Sequence, residues 1–109
     1  MEREILAMTA NSSERRDFAL PLWAKESEEH PVSIRNFFRQ LLAASTYKFP
    51  AEPPVRTVLF VSENDHFVSS SCSKNLAKSW GCELHIHPWA GHDLPLDDPD
   101  WIIEHLRQL

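Results

Sequence analysis

The spacing of apolar residues changes along the chain, from helical in the first half to short unbroken runs in the second. Asn11-Ser12-Ser13-Glu14 predicts a helix start, with Asn11 as the accepting cap and Glu14 three positions on. Phe18, Leu22 and Trp23 follow at helical spacing, with a kink or restart expected at Pro21. A second helix is predicted from Ser33, where Ile34, Phe37, Phe38, Leu41 and Leu42 form one apolar stripe. Pro50, Pro53 and Pro54 then forbid helix and mark a boundary. This divides the chain into a helical, cap-like segment over 1–49 and a second part over 50–109.

Beyond the prolines the period changes. Val55 to Val61 is a β-branched run without polar alternation, which predicts a strand buried on both faces. Ser69 to Ser73 start a helix with Leu76, Ala77 and Trp80 on its inner side, and Gly81 ends it. Glu83 to His87 is a second strand, stopped by Pro88. A last helix begins at Asp98-Pro99, with Trp101, Ile102, His105, Leu106 and Leu109 on one face. The fold class is therefore α/β, a short parallel βαβα unit preceded by N-terminal helices.

Composition narrows the function. The 109 residues suit one domain, and 42% hydrophobic with 25% charged residues is ordinary for a globular protein. A net charge of −5 and the lack of a basic stripe argue against nucleic acid and against an anionic membrane surface. No apolar stretch is long enough to span a bilayer, and Glu2 and Glu4 do not suit a secretory leader. Two cysteines, Cys72 and Cys82, lack metal-type spacing and read as buried packing groups in a cytoplasmic protein. Only two glycines occur, Gly81 and Gly91, so no Gly-rich phosphate loop exists and no nucleotide cofactor is expected.

The chemistry concentrates in two loops. Ser62-Glu63-Asn64-Asp65-His66 follows the first strand, and Trp89-Ala90-Gly91-His92-Asp93 follows the second. In a parallel sheet both loops leave the same, carboxyl edge, where open α/β sheets gather their catalytic groups. Asp65 and His92 can therefore meet. An aspartate accepting from Nδ1 of a histidine fixes the tautomer and leaves Nε2 free as a base.

From Val55 to Leu109 the chain resembles the last two strands of the α/β-hydrolase fold family. Asp65 matches the triad acid, Gly91-His92 matches the histidine motif, and acid precedes histidine as in that family. Ser62 stands where the family often has glycine. The stretch from His92 through Asp93, Leu94, Pro95, Leu96, Asp97 and Asp98 to Pro99 resembles a subset of bacterial hydrolases of this fold. Pro31-Val32-Ser33 and Arg39 to Ala44 are similar to the cap helices that precede those strands. The resemblance implies a serine hydrolase of esterase type acting on a small-molecule ester-like substrate, with Asp65 and His92 catalytic and no cofactor.

One part of that machinery has no counterpart in these residues. No Gly-x-Ser-x-Gly occurs, so the nucleophile elbow is expected upstream of Met1, and the chain reads as the C-terminal portion of a larger hydrolase. The alternative is a non-catalytic remnant that self-associates or binds a complementing chain through its exposed strand edges. Ser69, Ser70 and Ser71 read as helix caps rather than nucleophiles. His85 and His87 share one strand face, but with no suitably spaced third ligand they read as packing or surface groups rather than metal ligands. Trp89, beside the histidine loop, is the candidate substrate-binding residue. The acidic run Asp97, Asp98, Asp100 reads as a solvated helix N-terminus, favoured by the dipole.

Overall fold

A computed structural model describes residues 1–109. The elements run α1 (Glu2–Thr9), α2 (Ser13–Glu29), α3 (Ile34–Thr46), β1 (Val58–Ser62), α4 (Ser70–Trp80), β2 (Glu83–His87), α5 (Leu94–Asp97) and α6 (Pro99–Arg107). The two strands pair in parallel, with Val58 opposite Glu83 and Ser62 opposite His87, so both end at the same level. α4 connects them and packs on both. The βαβα reading is thus the observed architecture, preceded by three helices.

Local signals account for most boundaries. Ser33 caps α3 by accepting from the Asn36 N–H at 3.2 Å, and Ser69 caps α4 by accepting from the Ser71 N–H at 3.3 Å. Gly81 ends α4 in the left-handed region at φ 63°, where a side chain is disfavoured. Asp98 caps α6 by accepting from the Trp101 N–H at 3.1 Å, with Pro99 at the first helical position.

Four expectations need correction. The cap of α2 is Ser12, which accepts from the Arg15 N–H, and not Asn11, which is used elsewhere. Pro21 neither stops nor restarts that helix: α2 is unbroken from Ser13 to Glu29. The hydrogen bond that Pro21 forgoes would have gone to the carbonyl of Asp17, an exposed residue. Cys72 is exposed and Cys82 half-buried, so neither thiol is a buried packing group. Finally, β1 begins at Val58 and is not buried on both faces. Only Val61 and Ser62 are buried, and Val55 lies outside the strand and open to solvent. α4 packs on the sheet from one side, and Trp101 and His105 of α6 meet Phe60, His85 and His87, a thin cover that leaves many strand residues half-buried.

The core is small: 12 of 109 residues are buried, among them Leu6, Ala10, Ala19, Val61, Ala77, Ala90 and Leu94. Every residue of α3 is exposed, including its apolar stripe. The accessible surface of 8141 Å² exceeds the roughly 6,200 Å² of a compact monomer of this mass. No helix is long and apolar enough to cross a membrane.

Candidate active site

The parallel register places the loops after β1 and β2 side by side at the carboxyl edge of the sheet. Asp65 opens a tight turn in the first loop. Its Oδ1 accepts from the backbone N–H groups of Phe67 and Val68, both at 2.8 Å, which fixes the carboxylate's orientation. Its Oδ2 faces Nδ1 of His92 at 2.8 Å. The structure thus brings together the two residues on which the sequence reading centred. A carboxylate only accepts, so Nδ1 of His92 donates and the neutral ring leaves Nε2 unprotonated.

The two partners sit in different surroundings. The Asp65 side chain is 9% exposed and that of His92 42%, so the acid is inside and the base faces outward. Burial alone would lift the Asp65 carboxyl. The N–H of Val68, the His92 ring and the N–H of Phe67 together outweigh that effect and hold it below the usual carboxylate range. Phe67 packs edge-on against His92 with ring centres 5.0 Å apart. This arrangement keeps the acid ionised and the imidazole oriented.

A cleft of about 140 Å³ lies beside the pair, lined by Ser62, Asp65, Val68, Ser69, His92 and Leu94 among others. It is smaller than an ordinary ligand pocket. The Ser62 hydroxyl on its wall is buried and has no hydrogen-bond partner. Ser69, on the same wall, is engaged in capping, with its hydroxyl 2.8 Å from that of Ser71. A larger hollow lies between α1 and α2 around Arg3, Leu6 and Arg16, but it includes neither loop and no acid–base pair. Chemistry, rather than volume, singles out the Asp65–His92 edge.

Other candidate residues take up structural contacts. Trp89 is 44% exposed, and its indole lies edge-on against His87 at 4.9 Å. His87 itself is buried. Its Nδ1 accepts from the N–H groups of Trp89 and Ala90 at 3.3 and 3.0 Å, and its Nε2 lies 3.1 Å from the Asp98 carboxylate. That histidine therefore shapes the start of the second loop. The contact with His87, joined by the Trp101 N–H, holds the Asp98 carboxyl below its ordinary value. His85 meets Glu83 at 2.7 Å, and no group of three or more His, Cys, Asp or Glu is arranged to hold a metal ion.

Of the acidic run, Asp98 caps α6 and Asp100 lies exposed in its first turn, as a helix end requires, but Asp97 does neither. Asp97 is 4% exposed and accepts from the N–H of Gly91 at 2.7 Å and of Asn11 and Ser12 at 2.8 Å each. A buried carboxylate is retained here because three donors surround it. Asn11 donates from Nδ2 to the carbonyls of Asn64 and Trp89 at 3.0 and 2.8 Å. Asp97, Asn11 and His87 are the site-shaping residues that sequence reasoning missed. The one available signal was the pair Asp97-Asp98, since a helix needs only one capping carboxylate.

This short parallel βαβ unit, with an aspartate hydrogen-bonded to a histidine at its carboxyl edge, is of α/β-hydrolase type. Comparison with protein families agrees: a model described as serine hydrolase matches residues 20–95, a span that includes both Asp65 and His92. The chain belongs to the serine hydrolase family. No curated protein and no solved structure matches it.

Proposed function

We propose that Asp65 and His92 are the acid and base of a serine-hydrolase triad that cleaves small ester-like substrates. The nucleophile would be a serine on a segment other than the Asp65 and His92 loops. The observation that carries this reading is the 2.8 Å contact from Asp65 Oδ2 to His92 Nδ1, with the other carboxylate oxygen held by two backbone N–H groups. In the reaction, His92 Nε2 removes the serine proton as the hydroxyl attacks the ester carbonyl. The imidazolium, stabilised by Asp65, then returns that proton to the leaving alcohol. Water repeats the sequence on the acyl-enzyme and frees the serine.

Acid and base alone lack a nucleophile and oxyanion donors, which carry much of the rate. The isolated chain should therefore hydrolyse p-nitrophenyl acetate only slowly, at a rate that falls to the buffer background in His92→Ala. It should take up no stoichiometric fluorophosphonate adduct by intact mass. Esterase-like turnover that survives His92→Ala would overturn the assignment. An adduct that disappears in His92→Ala would instead place the nucleophile within these residues.

A second reading is a non-catalytic, self-associating module. It is favoured by the apolar face of α3, where Phe37, Phe38, Leu41 and Leu42 are each more than half exposed. This reading requires the isolated chain to be a dimer or larger assembly.

A further inference from the structure

Both chain neighbours of His92 are tied to the end of α1 and the turn after it, one directly and one through Asp97. The N–H of Gly91, just before it, donates to Asp97 Oδ2 at 2.7 Å, and the N–H of Asp93, just after it, donates to the Thr9 carbonyl at 2.7 Å. The same Asp97 carboxylate collects the N–H groups of Asn11 and Ser12, so one buried anion joins the helical turn to the histidine loop. The Asn11 amide then reaches across to the other loop. It donates to the carbonyl of Asn64, the residue preceding Asp65, and to that of Trp89, three residues before His92. Both acceptors are carbonyls, which fixes the amide's orientation.

From this geometry we infer that Asn11 and Asp97 are positioning residues for the Asp65–His92 pair, an inference that rests on the triad reading of that pair. Neither touches the reacting atoms. Asp97 sets the distance of the histidine loop from the helical turn, and Asn11 sets the separation of the two loops from each other. Their joint product is the 2.8 Å acid–histidine contact. The helical N-terminal segment is therefore a structural member of the acid–base edge, joined to it by contacts spanning more than eighty residues of sequence: the Asn11–Asp97 and Ser12–Asp97 bonds have separations of 86 and 85. Such a contact loosened by even an ångström weakens catalysis sharply, because proton transfer needs the ring held in one orientation.

The tautomer of His92 reads this positioning directly. In ¹⁵N-labelled full chain at a pH where the ring is neutral, long-range ¹H–¹⁵N spectra distinguish Nδ1–H from Nε2–H. The wild type should hold the Nδ1–H form. Asp97→Asn and Asn11→Ala should each make Nε2–H, the form a free imidazole prefers, the major one. Trp80→Phe, which removes the bond from the indole N–H to the Pro50 carbonyl on the far side of the sheet, should leave the tautomer unchanged however much it destabilises the fold. Retention of Nδ1–H in both Asp97→Asn and Asn11→Ala overturns the inference. If Asp97→Asn does not fold, Asn11→Ala decides alone, because the Asn11 side chain lies at the exposed rim and its backbone N–H remains to serve Asp97. Asp65→Asn separates the two levels of the argument. A wild-type tautomer insensitive to Asp65→Asn would defeat the triad reading itself, whereas sensitivity there with none at Asn11 or Asp97 would defeat only the positioning role.

Discussion

The two glycines offer the same substitution with two different physical outcomes. At Gly91 an added Cβ would lie 2.7 Å from the Thr9 carbonyl oxygen and 3.2 Å from both the N and Oδ1 of Asn11. Two of these neighbours are backbone, and the Thr9 oxygen is itself held by the Asp93 N–H at 2.7 Å. Reaching ordinary contact requires a separation of at least roughly half an ångström, which the loop can supply only by stretching the bonds to Asp97 and Thr9. Overpacking of this kind costs about 1–3 kcal/mol, and each weakened hydrogen bond is worth about 1 kcal/mol, more where the acceptor is charged. We expect Gly91→Ala to lose about 2–3 kcal/mol on that basis. At Gly81 the added Cβ meets nothing within 4 Å, and the cost comes only from φ 63°, about 1–2 kcal/mol.

The magnitudes overlap, so the identity of the substituted residue must discriminate between the causes. Asparagine tolerates the left-handed region, and Gly81→Asn should be more stable than Gly81→Ala. At Gly91 the larger side chain worsens the collision, and Gly91→Asn should be no more stable than Gly91→Ala. Urea titration followed by fluorescence of the four tryptophans measures both series, and a loss of 2 kcal/mol moves the midpoint by about 1–2 M. An unchanged midpoint for Gly91→Ala would refute the close approach of the α1–α2 turn to the histidine loop. The same is true if asparagine rescues both positions alike.

Two further outcomes follow from the charges and from the bare helix. Asp65 and Asp98 both have folded pKa values below their ordinary ones, so their stabilisation is present in full above the unfolded carboxylate range near about 4 and is lost as pH falls through the folded values. The urea midpoint should be level above about pH 5 and fall below about pH 4; Asp65→Asn and Asp98→Asn should each flatten that fall, and a slope identical to wild type would contradict the assigned contacts. If α3 is the surface of a self-associating module, sedimentation velocity will show a dimer or larger species that Phe38→Glu with Leu41→Glu returns to monomer. A monodisperse wild-type monomer at micromolar concentration removes that reading.

What the sequence revealed and what it concealed divide by distance along the chain. Caps at Ser33, Ser69 and Asp98, the stop at Gly81 and the strand at Glu83–His87 are decided within four or five residues, and each was legible. α1 was not, because it carries no side-chain cap and only eight residues. Asn11 shows how a correct local preference can be overruled. It is a good capping residue, yet Ser12 beside it caps equally well and frees Asn11 for carbonyls at positions 64 and 89. No local rule can assign those partners. Asp97 is the same case with charge: adjacent carboxylates suggest a helix N-terminus, and only the return of the chain from α1 supplies two of the three donors that surround one of them.

The apolar runs carry a different kind of information. Val55–Val61 predicted burial on both faces, and the stripe on α3 predicted a partner, whereas the structure leaves much of both open. Burial is a joint property of a segment and of whatever covers it, so a hydrophobic run specifies a requirement and not its fulfilment. The acid–histidine pair escapes this dependence. Parallel pairing of two strands places Ser62 level with His87, and the two loops that follow then start side by side whatever covers the sheet. Asp65 follows Ser62 by three positions and His92 follows His87 by five, short tethers that keep the two near each other. The pair was legible because β1, β2 and the turns that follow them are enough to bring its two residues close, whatever then fixes the contact. The contacts from Asn11 and Asp97 were not legible, because they need the helical turn to arrive from the other end of the chain.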